Sequence, residues 1–271
     1  MHPNIRKLLA PAIAAAIWMP CSAQAGTTPD APSVDTKPGI EGAPWGKNVA
    51  ITFGKDTYTL ASDGIPNHPR PPKYLLPKQG VVVPESPADL YAGDDPTLPQ
   101  NYSFTLPRHP TKKAHATRTG FGPIGVLVSG AALFNPYEGD GKTVALQHNF
   151  TVNGVSFIDA CNAHPTPPGG PNGLAYHYHG VPHCITDALD KPKQHSKLIG
   201  VALDGFPIYG PLGKDGAKPS QLDECNGHAE PTGEFPQGIY HYHVTEDFPY
   251  TVRCLAGDAP SLASQPAAII Q

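Results

Sequence analysis

The amino-acid sequence predicts a mostly β fold: a single loop-rich, sandwich-like domain that is cross-linked by disulfides and contains an internal repeat. Among 271 residues there are 28 glycines and 34 prolines, about twice their usual share in globular proteins. Short β-prone segments are separated by turn residues, and no amphipathic helical pattern exceeds one or two turns. Charged residues make up only 15 % of the chain while hydrophobic residues reach 39 %, which excludes disorder driven by high charge.

The first 25 residues have the features of a secretory signal peptide. A basic start at Arg6-Lys7 is followed by an apolar segment from Leu8 to Trp18, and Ala23-Gln24-Ala25 forms an A-x-A cleavage site. We therefore expect cleavage after Ala25 and a secreted or periplasmic protein. No later stretch reaches the about 18 consecutive apolar residues of a transmembrane helix, so none is expected in the mature chain.

Composition divides the rest of the chain into a leader, a folded domain and a tail. Residues 26–44 are rich in Pro, Thr and Asp and show no periodicity, so they predict a flexible leader. The domain is expected over residues 45–257, followed by a loose C-terminal tail over 258–271. The formal net charge of −4 argues against a basic surface for nucleic acid, so no nucleic-acid partner is predicted.

The first part of the domain predicts short strands joined by turns. Val49 to Phe53 and Thr57 to Ala61 flank the turn residues Gly54-Lys55-Asp56, which favours a hairpin. From Asp63 to Gln100, prolines recur every few residues. They prevent a helix and permit only short edge strands or extended loop.

The second part of the domain predicts buried strands and a second hairpin. Ile124 to Ser129 and Leu198 to Leu203 are short apolar segments of the kind that form buried strands. Thr151-Val152 and Val155 to Phe157 flank Asn153-Gly154, the strongest two-residue turn signal in the chain.

An internal repeat in the C-terminal half carries the strongest functional signal. At an offset of 64 residues, Asp159 to His164 (D-A-C-N-A-H) aligns with Asp223 to His228 (D-E-C-N-G-H). At the same offset, Tyr176 to His179 aligns with Tyr240 to His243, and both segments read Y-H-Y-H. Each copy is then followed by one cysteine. The chain therefore contains two copies of one motif set.

This repeat resembles the YHYH-domain proteins, a secreted family named for the tetrapeptide. Three further segments support the resemblance: Gly64 to His68, Ile199 to Gly210 and Phe248 to Tyr250. Together with the repeat they cover most of the chain from Trp45 to Gly257. The resemblance implies no particular reaction, substrate or partner.

The alternating tetrapeptide suits a metal site on a β-strand. Successive side chains of a strand point to opposite faces, so the two histidines of each tetrapeptide share one face and the two tyrosines share the other. Two imidazoles on one face can bind a single ion, and the histidine that ends each D-x-C-N-x-H motif is the predicted third ligand. The predicted metal ligands are His164, His177, His179, His228, His241 and His243.

Two arrangements of these ligands stay open: one three-histidine site per repeat, or a single shared site where the two tetrapeptide strands meet about a pseudo-twofold axis. Spare candidates are His68 and His183, and the carboxylates Asp159, Asp204 and Asp223 are candidates for orienting an imidazole or for capping a turn. Imidazole sites without thiolates favour Cu²⁺ or Zn²⁺, and an added carboxylate shifts the preference toward iron or manganese.

The four cysteines of the mature chain are predicted to form disulfides, because the thiols of exported proteins become oxidised. Three pairings are open, and the repeat favours the local one, Cys161 with Cys184 and Cys225 with Cys254. Each bridge would then close a loop that contains the three histidines of its repeat. The alternative is a structural zinc site built from two cysteines and two histidines of the first repeat.

Three functional hypotheses follow from these features. The first is a protein that binds a divalent metal, copper or zinc, with no assigned reaction. The second is a metal-dependent enzyme, either a zinc hydrolase or a copper oxidoreductase, which needs an open coordination position and a proton carrier such as Asp204 or Glu246. The third is a wall-associated or adhesion module without metal, in which the histidines form hydrogen bonds inside a loop-rich core.

Overall fold

The structure is a computed structural model that describes residues 39–167 and 173–259. The predicted signal peptide, most of the predicted leader and residues 260–271 of the predicted tail lie outside the described residues. Within them, none of the helices has the length and apolarity needed to cross a membrane. Ordered packing begins inside the predicted leader, because Gly39–Gly42 forms a 3-10 turn and the Trp45 indole donates a hydrogen bond to the Ile40 carbonyl at 2.8 Å.

The N-terminal part of the domain contains five short strands. In chain order they are β1 (Val49–Phe53), β2 (Thr57–Ser62), β3 (Lys73–Pro77), β4 (Leu90–Asp94) and β5 (Tyr102–Pro107). The predicted hairpin is confirmed, because β1 pairs antiparallel with β2, and β5 adds to the other side of β2 to give a three-stranded sheet. The proline-rich segment between them holds only the separate antiparallel pair β3–β4 and one 3-10 turn, also as predicted.

The remaining strands, in chain order, are β6 (Thr117–Arg118), β7 (Gly125–Leu127), β8 (Ala132–Leu133), β9 (Thr151–Val152), β10 (Val155–Ser156), β11 (Ala163–Pro165), β12 (Tyr176–Tyr178), β13 (Leu198–Ala202), β14 (Pro207–Tyr209), β15 (Gly227–Glu230), β16 (Ile239–His243) and β17 (Cys254–Leu255). The hairpin predicted at Asn153-Gly154 is confirmed as β9–β10, with both turn residues at positive φ (50° and 79°). The described residues contain one α-helix, α1 (His183–Leu189).

Eight of these strands form one mixed sheet in the order β11-β12-β8-β7-β13-β14-β16-β15. Its two halves have the same connectivity: a hairpin (β7–β8 or β13–β14), then a strand ending the D-x-C-N-x-H motif (β11 or β15), then the Y-H-Y-H strand (β12 or β16). In each half the Y-H-Y-H strand runs parallel to the second hairpin strand and antiparallel to the motif strand. The halves meet where β7 pairs antiparallel with β13, and Val126 lies opposite Val201.

The sheet shows that the repeat is longer than the two histidine motifs. The hairpins place Ile124 to Pro136 in correspondence with Ile199 to Pro211, at an offset of 75 instead of 64 residues. Gly130 and Gly205 occupy the same turn position in these hairpins with φ values of 97° and 88°, a left-handed conformation that favours glycine. The change of offset hides this part of the repeat from a comparison made at a single spacing.

One hydrophobic core joins the three-stranded sheet to the eight-stranded sheet. Leu60 and Phe104 from the smaller sheet belong to the same buried cluster as Val126, Val201 and Ile208 from the larger one. Strands of two to six residues are sufficient here because their side chains pack into one shared core and do not depend on a single strand pair. The predicted mostly β, loop-rich domain is therefore confirmed.

Both predicted disulfides are present. Cys161 is bonded to Cys184 and Cys225 to Cys254, with Cα–Cα distances of 5.4 and 4.7 Å. The local pairing that the repeat favours is thus confirmed. Because all four sulfur atoms are used in bonds, the alternative of a structural zinc site with cysteine ligands is wrong.

Candidate metal centres

The first histidine cluster lies on β11 and β12. His164 on β11 is the direct cross-strand neighbour of His177 on β12, and His179 lies two residues further along, on the same face as His177. The Nε2 atoms of His177 and His179 are 2.9 Å apart, and the His164 ring centroid lies 4.6 and 5.3 Å from the other two. All three side chains are almost fully buried. We call this set the first centre.

Hydrogen bonds to the backbone fix the tautomers of this centre. The Nδ1 atom of His177 lies 3.1 Å from the Ala175 carbonyl oxygen, and that of His179 lies 2.7 Å from the Asn135 carbonyl oxygen. A carbonyl oxygen only accepts, so each Nδ1 carries the proton and each neutral ring presents a lone pair at Nε2. Two lone pairs therefore face each other at 2.9 Å. Both ring nitrogens of His164, also buried, have no hydrogen-bond partner.

Burial keeps these imidazoles neutral. It lowers the pKa of His164 and His177 well below the usual value and that of His179 to about 4, because a charged ring would lose its hydration. Apolar rings complete the lining: Phe134 stacks on His177 with centroids 4.0 Å apart, and Phe157 meets His164 edge-on at 4.6 Å. Neutral imidazole is the form that binds metal, so the centre needs no deprotonation at neutral pH.

The second histidine cluster lies on the corresponding strands β15 and β16, with a different pair of ring nitrogens in closest contact. His228 lies directly opposite His241, and the Nε2 atoms of His228 and His243 are 3.2 Å apart. The Nδ1 atoms of His228, His241 and His243 lie 3.0, 3.0 and 2.7 Å from the carbonyl oxygens of Ser220, Ile239 and Gly210. The neutral rings of His241 and His243 therefore present their Nε2 lone pairs to the cluster.

Two residues that sequence analysis missed join this second cluster. One ligand atom each from His195, Glu230, His241 and His243 lies within 4.8 Å of every other. The Oε1 atom of Glu230 is 3.4 Å from the Nε2 atoms of both His195 and His228, and the Nδ1 atom of His195 faces the Ser196 carbonyl oxygen at 2.8 Å. We call His195, His228, Glu230, His241 and His243 the second centre.

The two missed residues differ in how far the sequence could have indicated them. Glu230 is two residues after His228, so on a strand it shares the face of that histidine, and this H-x-E spacing is readable. His195 precedes β13, and the position that corresponds to it in the first half of the repeat, Gly120, is not a histidine. Only the folded sheet brings His195 to the centre.

Burial lowers the histidine pKa values in the second centre as well. The pKa of His241 falls to about 3, and that of His243 falls well below its usual value. Desolvation is the main cause for both rings, and the neighbouring imidazoles lower the pKa further. The Nε2 atom of His241 is buried without a hydrogen-bond partner, as is Oε1 of Glu230.

The tyrosines of each tetrapeptide anchor the opposite face of the strand. Tyr176 donates to Asp159 at 2.8 Å, and Tyr240 donates to Asp223 at 3.0 Å. Tyr242 donates to Asp204 at 2.5 Å. These three aspartates were candidates for orienting an imidazole or capping a turn. Their hydrogen bonds within the described residues go to tyrosine or lysine side chains and turn amides, such as those of residues 161 and 225, and none goes to an imidazole.

The other candidates lie apart from both centres. The Nε2 atom of His68 is 2.6 Å from the Tyr178 hydroxyl, on the tyrosine face of the strand. His183 starts α1, with ring nitrogens 3.7 Å from Asp187 and 4.0 Å from Glu246. Glu246 is thus placed beside His183, and its side chain is 63 % exposed.

The tetrapeptides form two clusters and not one shared cluster. Four strands separate β12 from β16 in the sheet, which corresponds to about 24 Å at the usual spacing of neighbouring strands. Of the two arrangements left open by the sequence, the structure therefore has one cluster per repeat.

The fold and these clusters define a class of protein: a two-repeat, mostly β domain with a buried histidine cluster in each repeat. Comparison with protein-family models then places it. The model described as YHYH protein matches residues 103–221 and 214–257, more than half of the chain, and the protein belongs to this family. Neither the curated proteins nor the solved structures include a significant match.

Proposed function

We propose that the protein binds divalent metal ions, one in each repeat, through its paired histidine-x-histidine strands. The observation that carries this proposal is the convergence of imidazole Nε2 atoms: the lone pairs of His177 and His179 face each other at 2.9 Å in the first centre, and the Nε2 atoms of His228 and His243 are 3.2 Å apart in the second. A cation between such lone pairs converts a repulsive contact into a favourable one.

A purely structural role explains these histidines less well. Buried polar groups are nearly always hydrogen-bonded, because an unpaired group costs about 1 to 3 kcal/mol. Yet both ring nitrogens of His164 and the Nε2 atom of His241 are buried without a partner. Metal coordination would supply a partner to one ring nitrogen of His164 and to the Nε2 atom of His241.

The donor sets favour different metals at the two centres. The first centre offers imidazole nitrogen only, which suits Cu²⁺ or Zn²⁺. The second centre adds the carboxylate of Glu230, so it also suits iron or manganese. Neither centre contains a thiolate, since the cysteines are in disulfides.

Export from the cytoplasm is part of this proposal. Two disulfides are typical of an oxidising compartment, and the N-terminal sequence has the features of a signal peptide. We therefore propose that the protein acquires its metal in the periplasm or outside the cell.

The test is metal content of protein purified without a histidine tag, stripped with chelator and dialysed against Cu²⁺ or Zn²⁺. We expect two ions per wild-type chain and one per chain in both H177A/H179A and H241A/H243A. The matched control, H109A/H115A, removes two exposed histidines outside the centres and should keep both ions. Unchanged metal content in H177A/H179A would contradict the proposal for the first centre.

A further inference from the structure

The two centres differ in their access to solvent. The side chains of the first centre are at most 3 % exposed. In the second centre, the side chains of His228, His195 and Glu230 are 13 %, 15 % and 24 % exposed. A small solute can therefore contact His228, His195 and Glu230, whereas His241 and His243 are fully buried behind them.

The exposed side of the second centre opens onto a cleft. His228 and Glu230 form part of the wall of a cleft of about 580 Å³, together with the ring of Tyr240 and a segment around residues 213–221. This volume is enough for a small organic molecule or several waters. The cleft thus leads from solvent to two of the five candidate donors.

Basic side chains line the same cleft. Lys112 and Lys218 form ion pairs with Asp223 and Asp247, whereas Lys214 has no acidic partner among the described residues. Glu230 is the acidic side chain that lines the cleft itself. With a divalent ion bound, the charge at the inner end of the cleft becomes positive, which raises the local concentration of anions.

Sequence divergence between the repeats matches this difference in access. The positions that correspond to Glu230 and His195 in the first half are Thr166, at the offset of 64, and Gly120, at the offset of 75. The added donors are therefore specific to the half that is open to solvent. A metal site that binds an exchangeable ligand needs access from solvent as well as protein donors, and only the second centre combines the added donors with that access.

We propose that the second centre takes a small anion from the cleft as an additional metal ligand, whereas the first centre is closed to it. The ligand class is a small molecule bearing an anionic oxygen, such as a carboxylate or a phosphate. This inference rests on the metal binding proposed above, and it assigns the exchangeable coordination position to one repeat only.

The experiment uses the copper-loaded full chain with azide as the probe. Azide bound to Cu²⁺ gives a charge-transfer absorption band and changes the electron paramagnetic resonance spectrum. We expect a saturable band in the wild-type protein and in H177A/H179A, and no band in H241A/H243A. In the wild type, azide should change only one of two copper signals, a result that requires no substitution. Acetate and phosphate should compete with azide.

Copper content measured in the same samples tests metal binding separately from anion binding. If no copper binds, the proposed function fails. If copper fills the second centre and azide produces no change, or if azide binds equally in H241A/H243A, this inference is overturned and metal binding stands.

The cleft is tested by a charge reversal. K214E should weaken azide binding about threefold, because a nearby positive charge becomes negative. The control K142E reverses an exposed lysine outside the cleft and should leave the affinity unchanged. Equal affinity in K214E and wild type would overturn the assignment of this cleft as the anion route.

Discussion

Asp204 and Ser129 occupy the same position in the two hairpins, and each contacts the second tyrosine of its tetrapeptide. Ser129 shares a hydrogen bond of 2.9 Å with Tyr178. Asp204 accepts hydrogen bonds from the Tyr242 hydroxyl at 2.5 Å and from the amides of Gly257 at 2.9 Å and of residue 206 at 3.3 Å. Burial raises the pKa of Asp204 while these donors lower it. The second half thus depends on a buried acid where the first uses a hydroxyl.

Because of this difference, we expect alanine substitution to lower the free energy of unfolding more at Asp204 than at Ser129. D204A leaves the Tyr242 hydroxyl and two buried amides without their acceptor, so it should lower the free energy of unfolding by about 3 to 5 kcal/mol. S129A removes one hydroxyl contact of Tyr178 and should cost about 1 kcal/mol. Urea unfolding of both variants measures the difference. Equal losses would show that the carboxylate adds no stabilisation over the hydroxyl.

Glu138 gives a pH dependence whose direction follows from its burial. Burial, assisted by the nearby Asp140 charge, raises the pKa of Glu138 from 4.5 to about 7. The protonated form is therefore favoured in the folded state, and its contribution to stability is present below pH 4.5 and is lost as the pH rises through 7. E138Q removes this titration.

We therefore expect the stability of E138Q relative to wild type to increase by about 3 kcal/mol between pH 4.5 and 8. Urea unfolding at the two pH values measures it. E85Q, which removes an exposed carboxylate, is the control and should show no such change. A pH-independent difference for E138Q would mean that folding does not shift the pKa of Glu138.

At the scale of single residues, the sequence predicts some of the side chains in each centre. The period of a strand is enough to place His177 and His179 on one face, and the repeat is enough to add His164. The same rule applied to Glu230 would have added it to the second centre. His195 could not be predicted, because its position depends on how β13 packs beside β14 and on no local pattern.

At the scale of elements, each disulfide ties a motif strand to the region beyond its tetrapeptide. The loops closed by the two bonds span sequence separations of 23 and 29 residues. Closing such loops restricts the unfolded chain and stabilises the fold by about 3.5 kcal/mol per bond in the chain-entropy model.

The prediction is that C225S/C254S unfolds at lower urea concentration than wild type, with a loss of about 3.5 kcal/mol. C161S/C184S should lose a similar amount, because its loop differs little in length. Reduction of the wild-type protein with dithiothreitol should reproduce the sum of the two losses. Additivity would fail if one bond is already strained or if its loop stays structured after reduction.

The individual strands were easier to predict than their order. Local signals indicate both hairpins, the strand over Leu198–Ala202 and the alternating β12 and β16. The parallel neighbours β8–β12 and β14–β16 could not be predicted, because each pair contains a strand of only two or three residues, which carries no register of its own. Their pairing depends on hydrogen bonds between segments far apart in sequence, such as Phe134 N to Tyr178 O at 2.9 Å.

At the scale of the whole molecule, the eight-stranded sheet couples the two centres. The strands β7 and β13 connect both halves in one sheet, and their side chains share one core. We therefore expect a single cooperative unfolding transition. A ligand that binds only the folded state then stabilises both repeats, whichever centre it occupies.

Metal removal tests this coupling. At free metal one hundred times the dissociation constant, each occupied centre should add about 2.7 kcal/mol, which raises the melting temperature by about 5 to 10 °C for a domain of this size. Calorimetry of H177A/H179A with and without EDTA should show one transition that shifts as a whole. Two transitions, of which only one responds to EDTA, would contradict the coupling.

The pairing of Val126 with Val201, where β7 meets β13 between the two halves of the sheet, has a consequence for the origin of the chain. Because equivalent residues face each other there, either half presents an edge that is complementary to a copy of itself, as in an isologous homodimer. Covalent fusion of two such subunits keeps the interface. After fusion, each half can acquire substitutions that the other half does not have. A symmetric dimer would have to carry His195 and Glu230 in both subunits or in neither, whereas the fused chain specialises one of them.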